Sequence, residues 1–262
     1  MDSNGDNKTR TRDWYNEHTE MYTGHTRDPK SSIYHSLYEK PAMYALLQDD
    51  LLGLTAVSLG SGSGEDCEEL RRRGAVVCGI DISDGLIDEA RKAYPNNTYY
   101  IGSMDDLHML ADSSQDIVYS SLAVHYLDSW EQLMSEIVRV LKPGGFFLFS
   151  MGHPINYAID EIEVGGEIHK GLFKIKRIDG TREYIGDDFS KKERVNTRSM
   201  AGVVNYSKTV QDISDLAHEY DLIIDRIIEP KPLSEMKEFD EGSYNGLLKS
   251  PYFIIYKLRK SL

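Results

Sequence analysis

The chain has 262 residues, with 43 acidic against 30 basic side chains and a net charge of −13. That length is enough for one large α/β domain or two small ones without help from metals or disulfides, and its two cysteines, Cys67 and Cys78, form neither a disulfide framework nor a Cys-x-x-Cys zinc site. The acidic balance speaks against nonspecific nucleic-acid binding, which needs a clustered basic surface, and no apolar run approaches the roughly 18 residues of a membrane span.

The amino-terminal segment, MDSNGDNKTRTRD, is polar and has no apolar core, so a soluble cytoplasmic protein is expected, with residues 1–12 as a disordered tail. Residues 13–52 carry scattered aromatics (Trp14, Tyr15, Tyr22, Tyr34, Tyr38, Tyr44) on helices that form a cap. From Thr55 a βα alternation begins. Strand-like runs at TAVSLG, AVVCGID, TYYIGS, DIVYSSLA and FFLFSM alternate with helical patterns, which implies a parallel sheet covered on both faces. Ser83 is placed to cap the helix DGLIDEARKAY, and Gly74 to end the helix starting near Glu65. Ser129 and Gln132 read as a capping box for a helix over 129–141, stopped by Lys142-Pro143-Gly144-Gly145.

Residues 153–206 interrupt the alternation. They read as an inserted substrate lid containing a strand pair, with its turn at Asp179-Gly180. SKTVQDISDLAHEYD is a helix and LIIDRIIEP a strand. PYFIIYKLRK follows a loop of about 20 residues without a helix and is expected to enter the sheet antiparallel.

The most informative feature is Val57-Ser58-Leu59-Gly60-Ser61-Gly62-Ser63-Gly64, a glycine cluster between a strand and a helix start. Glycines at alternate positions allow a tight turn and let a ligand lie against bare backbone. A dinucleotide fingerprint would need glycine where Glu65 stands, and Glu65 and Asp66 would repel a pyrophosphate. The Gly-Lys-Ser/Thr of a P-loop is absent. Asp81 ends the second strand, where a carboxylate can accept both hydroxyls of a ribose.

On these residues the chain resembles the class I S-adenosylmethionine-dependent methyltransferases. VSLGSGSG is similar to that family's first motif, VCGIDIS to its second, YIGSMDDL to its third, DIVYSSLAVHYLDSW to its fourth and RVLKPGGFFLFS to the region after it. YEKPAMYALL, SLAVHYL, FSMGHP, VNYSKT and IIEPKP extend the likeness over roughly residues 34–258, toward a small-molecule branch of the methyltransferase type 11/25 kind. The resemblance implies a Rossmann-like, doubly wound α/β fold. Its seven-stranded sheet would be mostly parallel with an antiparallel last strand, carried by residues 13–152 and 207–262. It also implies S-adenosyl-L-methionine as cofactor, no metal, and a small-molecule acceptor methylated on oxygen or nitrogen by a monomer or homodimer.

Carried over by position, Gly60, Ser61, Gly62 and Gly64 would meet the methionyl part of the cofactor and Asp81 its ribose. Ile82 would pack on the ring, Met104 and Asp105 would contact the adenine, and Ser121 and Leu122 would pass beside the cofactor. The chain departs from the family pattern at Ser58, Ser61 and Ser103, and at Ser207, where the branch tends to carry histidine. His125 and His153 follow neighbouring strands at the ligand-binding edge and are the candidate bases, His125 favoured, with Tyr126 as an orienting hydroxyl. The competing readings are a non-catalytic S-adenosylmethionine-binding sensor or partner subunit, which Ser207 favours, and a nicotinamide-dependent oxidoreductase.

Overall fold

A computed structural model describes residues 3–158, 160–164, 167–171, 173–176, 182–185, 193–195, 200 and 202–262. Two helices, α1 (Ser3–Glu17) and α2 (Thr19–Arg27), open the chain, followed by one π-helical turn (His35–Glu39) that runs directly into α3 (Lys40–Tyr44). The βα alternation then proceeds through β1 (Thr55–Leu59), α4 (Glu65–Arg72), β2 (Val76–Asp81), α5 (Asp84–Ala93), β3 (Thr98–Ile101), β4 (Gln115–Ser120), α6 (Glu131–Val140) and β5 (Leu141–Gly152). A short α7 (Ile155–Ala158) leads into β6 (Asp160–Val164), β7 (Glu167–Gly171), β8 (Phe173–Lys176), β9 (Arg182–Ile185), β10 (Glu193–Val195) and β11 (Val204–Tyr206). The chain returns through α8 (Val210–Glu219), β12 (Leu222–Ile228), α9 (Glu241–Lys249) and β13 (Phe253–Lys260).

Seven strands form the main sheet in the order β12-β13-β5-β4-β1-β2-β3. The β5-β4-β1-β2-β3 portion is parallel, and β13 runs antiparallel to both β5 and β12. Central strands are buried on both faces, as a helix-covered parallel sheet requires. Val57, Leu59 and Val118 pack toward Trp130, Leu133 and Ile137, while Ala56, Ile117 and Tyr119 pack toward Met43, Leu70 and Ile87.

Several local expectations hold. Ser83 caps α5, its hydroxyl accepting from Leu86 N, and Gly74 takes φ +104 just past the end of α4. The inserted segment carries two antiparallel pairs, β6 with β7 and β8 with β9, and β10 pairs with β11. The expected turn at Asp179-Gly180 lies outside the described residues.

Others need correction. Residues 3–12, read as a disordered tail, belong to α1. Its hold is tertiary and polar, which is why no apolar period announced it: the buried Asn7 donates to the carbonyls of Tyr126 and Val204 and accepts from Val204 N. The capping box at Ser129 does not form. Trp130, 2% exposed, is fixed in the core at the N-cap, so α6 begins at Glu131 and the Ser129 hydroxyl bonds the Glu131 carboxylate instead. The stretch 142–145 does follow the end of α6, as expected, but it already belongs to β5, which shifts register against β4 there. A helix, α9, precedes the last strand, capped by Asp240 through Ser243 N.

Candidate functional site

The topology reverses at β1: the chain moves outward through β2 and β3, then returns to place β4 on the other side of β1. Loops leaving β1 and β4 therefore diverge and open a crevice at their carboxyl ends, the usual ligand site of such sheets. A cleft occupies that place, with about 620 Å³ of atom-free space counted out to its opening to solvent. Its floor and walls come from Gly60 and Gly62 after β1, Asp81 and Ile82 after β2, Gly102, Ser103 and Met104 after β3, and Ser121, Leu122 and Ala123 after β4. Its roof is Lys8, Thr11, Tyr15 and Tyr22 from the first two helices.

The glycine loop is built on left-handed backbone. Gly60, Gly62 and Gly64 have φ of +65, +54 and +94. At Gly60 a Cβ would stand 2.3 Å from Ala123 Cβ, so the loops after β1 and β4 touch only because no side chain intervenes. Gly62 faces the Tyr22 ring across the cavity. Gly64 does not reach the cavity; it is the N-cap of α4, and its absent side chain makes room for Tyr99 and Ala90. Ser61 also points away: its buried hydroxyl lies by Gly79 of β2.

Asp81 is the polar centre of the cavity. One carboxylate oxygen accepts from Gly62 N at 2.8 Å and the other from Ser83 N at 2.9 Å. Burial pushes its pKa up while these backbone donors pull it down. Each oxygen keeps a second lone pair, the arrangement needed to accept the two hydroxyls of a ribose. Asp105 is engaged by the protein itself. Its carboxylate is bound by Lys8 Nζ at 2.5 Å and by the Ser103 hydroxyl, and among the residues that line the cavity are its neighbours Ser103 and Met104.

The histidines separate. His153 lies outside the cavity lining, and both ring nitrogens are engaged: Nδ1 accepts from Ile155 N at 3.2 Å, and Nε2 meets Glu229 Oε1 at 3.3 Å. It closes the end of β5 and starts α7. His125 is buried against the Tyr126 ring at 4.5 Å, and its Nδ1 has no partner among the described residues. Burial, with His35 nearby, pushes its pKa down to about 4, so the ring is a neutral and weak base. Tyr126 does line the cavity, its hydroxyl 2.9 Å from that of Tyr15 and 3.3 Å from Met200 Sδ. Burial raises its pKa to about 12, so it serves as a neutral hydroxyl.

Sequence reasoning missed the roof and one group beneath the floor. Lys8, Thr11, Tyr15 and Tyr22 recur at helical spacing, a polar face that could have been noticed. Glu39, at the end of the π turn, is fully buried. Its Oε1 accepts from the Ser121 hydroxyl at 3.0 Å and the Ser150 hydroxyl at 2.5 Å, and the Ser150 oxygen accepts from Leu122 N at 3.0 Å. Leu122 has φ +49, a strained conformation for a leucine that this bond helps to hold.

The comparisons with known proteins agree with this geometry. The family described as a methyltransferase domain matches residues 57–149. The biotin biosynthesis bifunctional protein BioHC of Cellvibrio japonicus is 40% identical over 90 residues, covering 34% of this chain and 18% of that protein. A malonyl-[acyl-carrier protein] O-methyltransferase of Pectobacterium atrosepticum is 35% identical over 98 residues, covering 37% of this chain and 38% of that one. An S-adenosylmethionine-dependent methyltransferase of Mesorhizobium loti superposes with a TM-score of 0.70 at 28% identity, over 88% of this chain and 100% of that one. The chain spans half or less of the length of the first curated relatives it matches. Residues 57–149 match a methyltransferase domain, and the chain is similar in sequence and fold to S-adenosylmethionine-dependent methyltransferases. No helix among the described residues is long and apolar enough to cross a membrane.

Proposed function

We propose that the chain binds S-adenosyl-L-methionine and transfers its methyl group to an oxygen or nitrogen of a small-molecule acceptor. The observation that carries this reading is Asp81, held between the N–H groups of Gly62 and Ser83 on the wall of a cavity at the switch point of the sheet. The residues fit the cofactor: bare glycine backbone for its methionyl part, Asp81 for the ribose, and Ile82 and Met104 as apolar faces for the base. When bound, the cofactor supplies a methyl carbon on a sulfonium, open to in-line attack.

The protein's part is alignment and the exclusion of water. Ala123 packs one wall against Gly60 with Leu122 beside it in the lining, and Tyr15, Tyr22 and Tyr126 close the cavity with rings that carry neutral hydroxyls. Those hydroxyls would orient a small polar acceptor without charge of their own. The inserted segment 153–206 would complete the acceptor side. The test is incubation with methyl-labelled S-adenosylmethionine and a panel of small carboxylic acids, phenols and amines. The expected result is S-adenosylhomocysteine formed in step with a labelled product, and failure across all three classes would contradict the reading.

A further inference from the structure

Resting on that reading, we propose that Glu39 is the proton acceptor of the reaction, reached from the cavity through the hydroxyl of Ser121. Ser121 lines the cavity, and its hydroxyl donates to Glu39 Oε1 at 3.0 Å. The second oxygen, Oε2, is buried and has no partner among the described residues, so the carboxyl is held through Oε1 alone, the oxygen that would receive the Ser121 proton. The π turn is what brings the side chain there: it adds a residue to the helical repeat and turns Tyr38 and Glu39 inward together.

The electrostatics agree with the geometry. Burial and the charge of Asp66 push the Glu39 pKa up to about 7, while Ser150, Lys40 and Ser121 pull it down. The titratable groups facing it are Asp66 on α4, Lys40 and Tyr44 on α3, and Tyr119 on β4. Asp66 is itself held by Lys40 at 3.0 Å and by the Tyr44 hydroxyl at 2.5 Å. A carboxylate balanced near neutrality suits a general base better than the two histidines do. In the step, the acceptor's O–H or N–H proton passes to Ser121 Oγ while the Ser121 proton passes to Glu39. The serine is regenerated and the glutamic acid is neutral. The electron pair freed on the acceptor forms the bond to the methyl carbon, and the sulfonium departs as a neutral thioether.

Calorimetry in buffers of different ionisation heat tests this with S-adenosylmethionine and S-adenosylhomocysteine at pH 7. A sulfonium near Glu39 lowers its pKa, so the cationic ligand should release more protons than the neutral one. Glu39→Gln, whose amide oxygen can still accept from both serines, should abolish that difference while leaving the affinity for S-adenosylhomocysteine unchanged. With the fastest acceptor of the panel above, Glu39→Gln should lower kcat about 100-fold with little change in the cofactor KM. Ser121→Ala should lower kcat comparably yet keep the difference in proton release. Equal proton release for the two ligands, a difference that survives in Glu39→Gln, or wild-type kcat in either variant overturns the proposal. Binding of neither ligand to the wild-type protein would overturn the reading of the site itself.

Discussion

Two regions build the cavity by different means. The loops at the carboxyl ends of the strands contribute mainly backbone: left-handed glycines, a carboxylate fixed by two N–H groups, and a leucine held in a strained turn. The helices before β1 contribute side chains: Lys8 to Asp105, Asn7 to the carbonyls of Tyr126 and Val204, and Glu39 to Ser121 and Ser150. The first region tolerates almost no change of shape, whereas the second can be altered one contact at a time. The lesson is that rigid backbone frames the crevice at the strand ends while separable side-chain contacts enclose it from the cap; on the reading proposed above, the first would bind the cofactor and the second would handle the proton.

The largest effect is expected where the backbone loops touch. Gly60→Val places a side chain onto Ala123 at positive φ; it should cost about 3 kcal/mol in stability and abolish S-adenosylhomocysteine binding, read by thermal unfolding and calorimetry. Asp81→Asn keeps the shape but loses a charged acceptor, and should weaken that binding by about 10- to 100-fold with the fold intact by circular dichroism.

In the cap, Glu39 gives a pH signature. Its folded pKa is raised from 4.5 to about 7, so the native state binds the extra proton between these values. Its contribution to stability is therefore complete below pH 4.5 and is lost as the pH rises through 7, on the order of 3 kcal/mol. Urea unfolding of wild type and Glu39→Gln across that window should show the difference, and parallel curves would contradict it. Lys8→Met should loosen the cap over Asp105 and speed release of S-adenosylhomocysteine about threefold, seen in stopped-flow. His153→Ala should leave binding and turnover as they are and lower stability by about 1 kcal/mol or less.

The same division explains what could be read from the sequence. Glycine spacing, strand-end aspartate and βα alternation are local signals with local physical causes, so β1 to β5 and the places of Gly60, Gly62 and Asp81 were readable. Ser61 and Gly64 matched the motif by position, yet one hydroxyl turns toward β2 and the other residue packs on α5, which spacing alone does not encode. The roof was hidden because α1 is held by polar contacts more than a hundred residues distant, so its sequence looks like a solvated tail. Glu39 was hidden because its burial depends on a π turn and on two distant serines, one in the loop after β4 and one on β5. Both histidines stand at that edge, yet neither is among the residues that line the cavity, a distinction that edge position does not encode.

The most direct measurement is calorimetric titration of the wild-type protein with S-adenosylhomocysteine, with Asp81→Asn and NAD as controls. The account predicts one site per chain with a dissociation constant below about 100 µM, weakened at least tenfold in Asp81→Asn, and no heat from NAD. Binding of NAD in its place, or S-adenosylhomocysteine binding that ignores the loss of the Asp81 carboxylate, would contradict it.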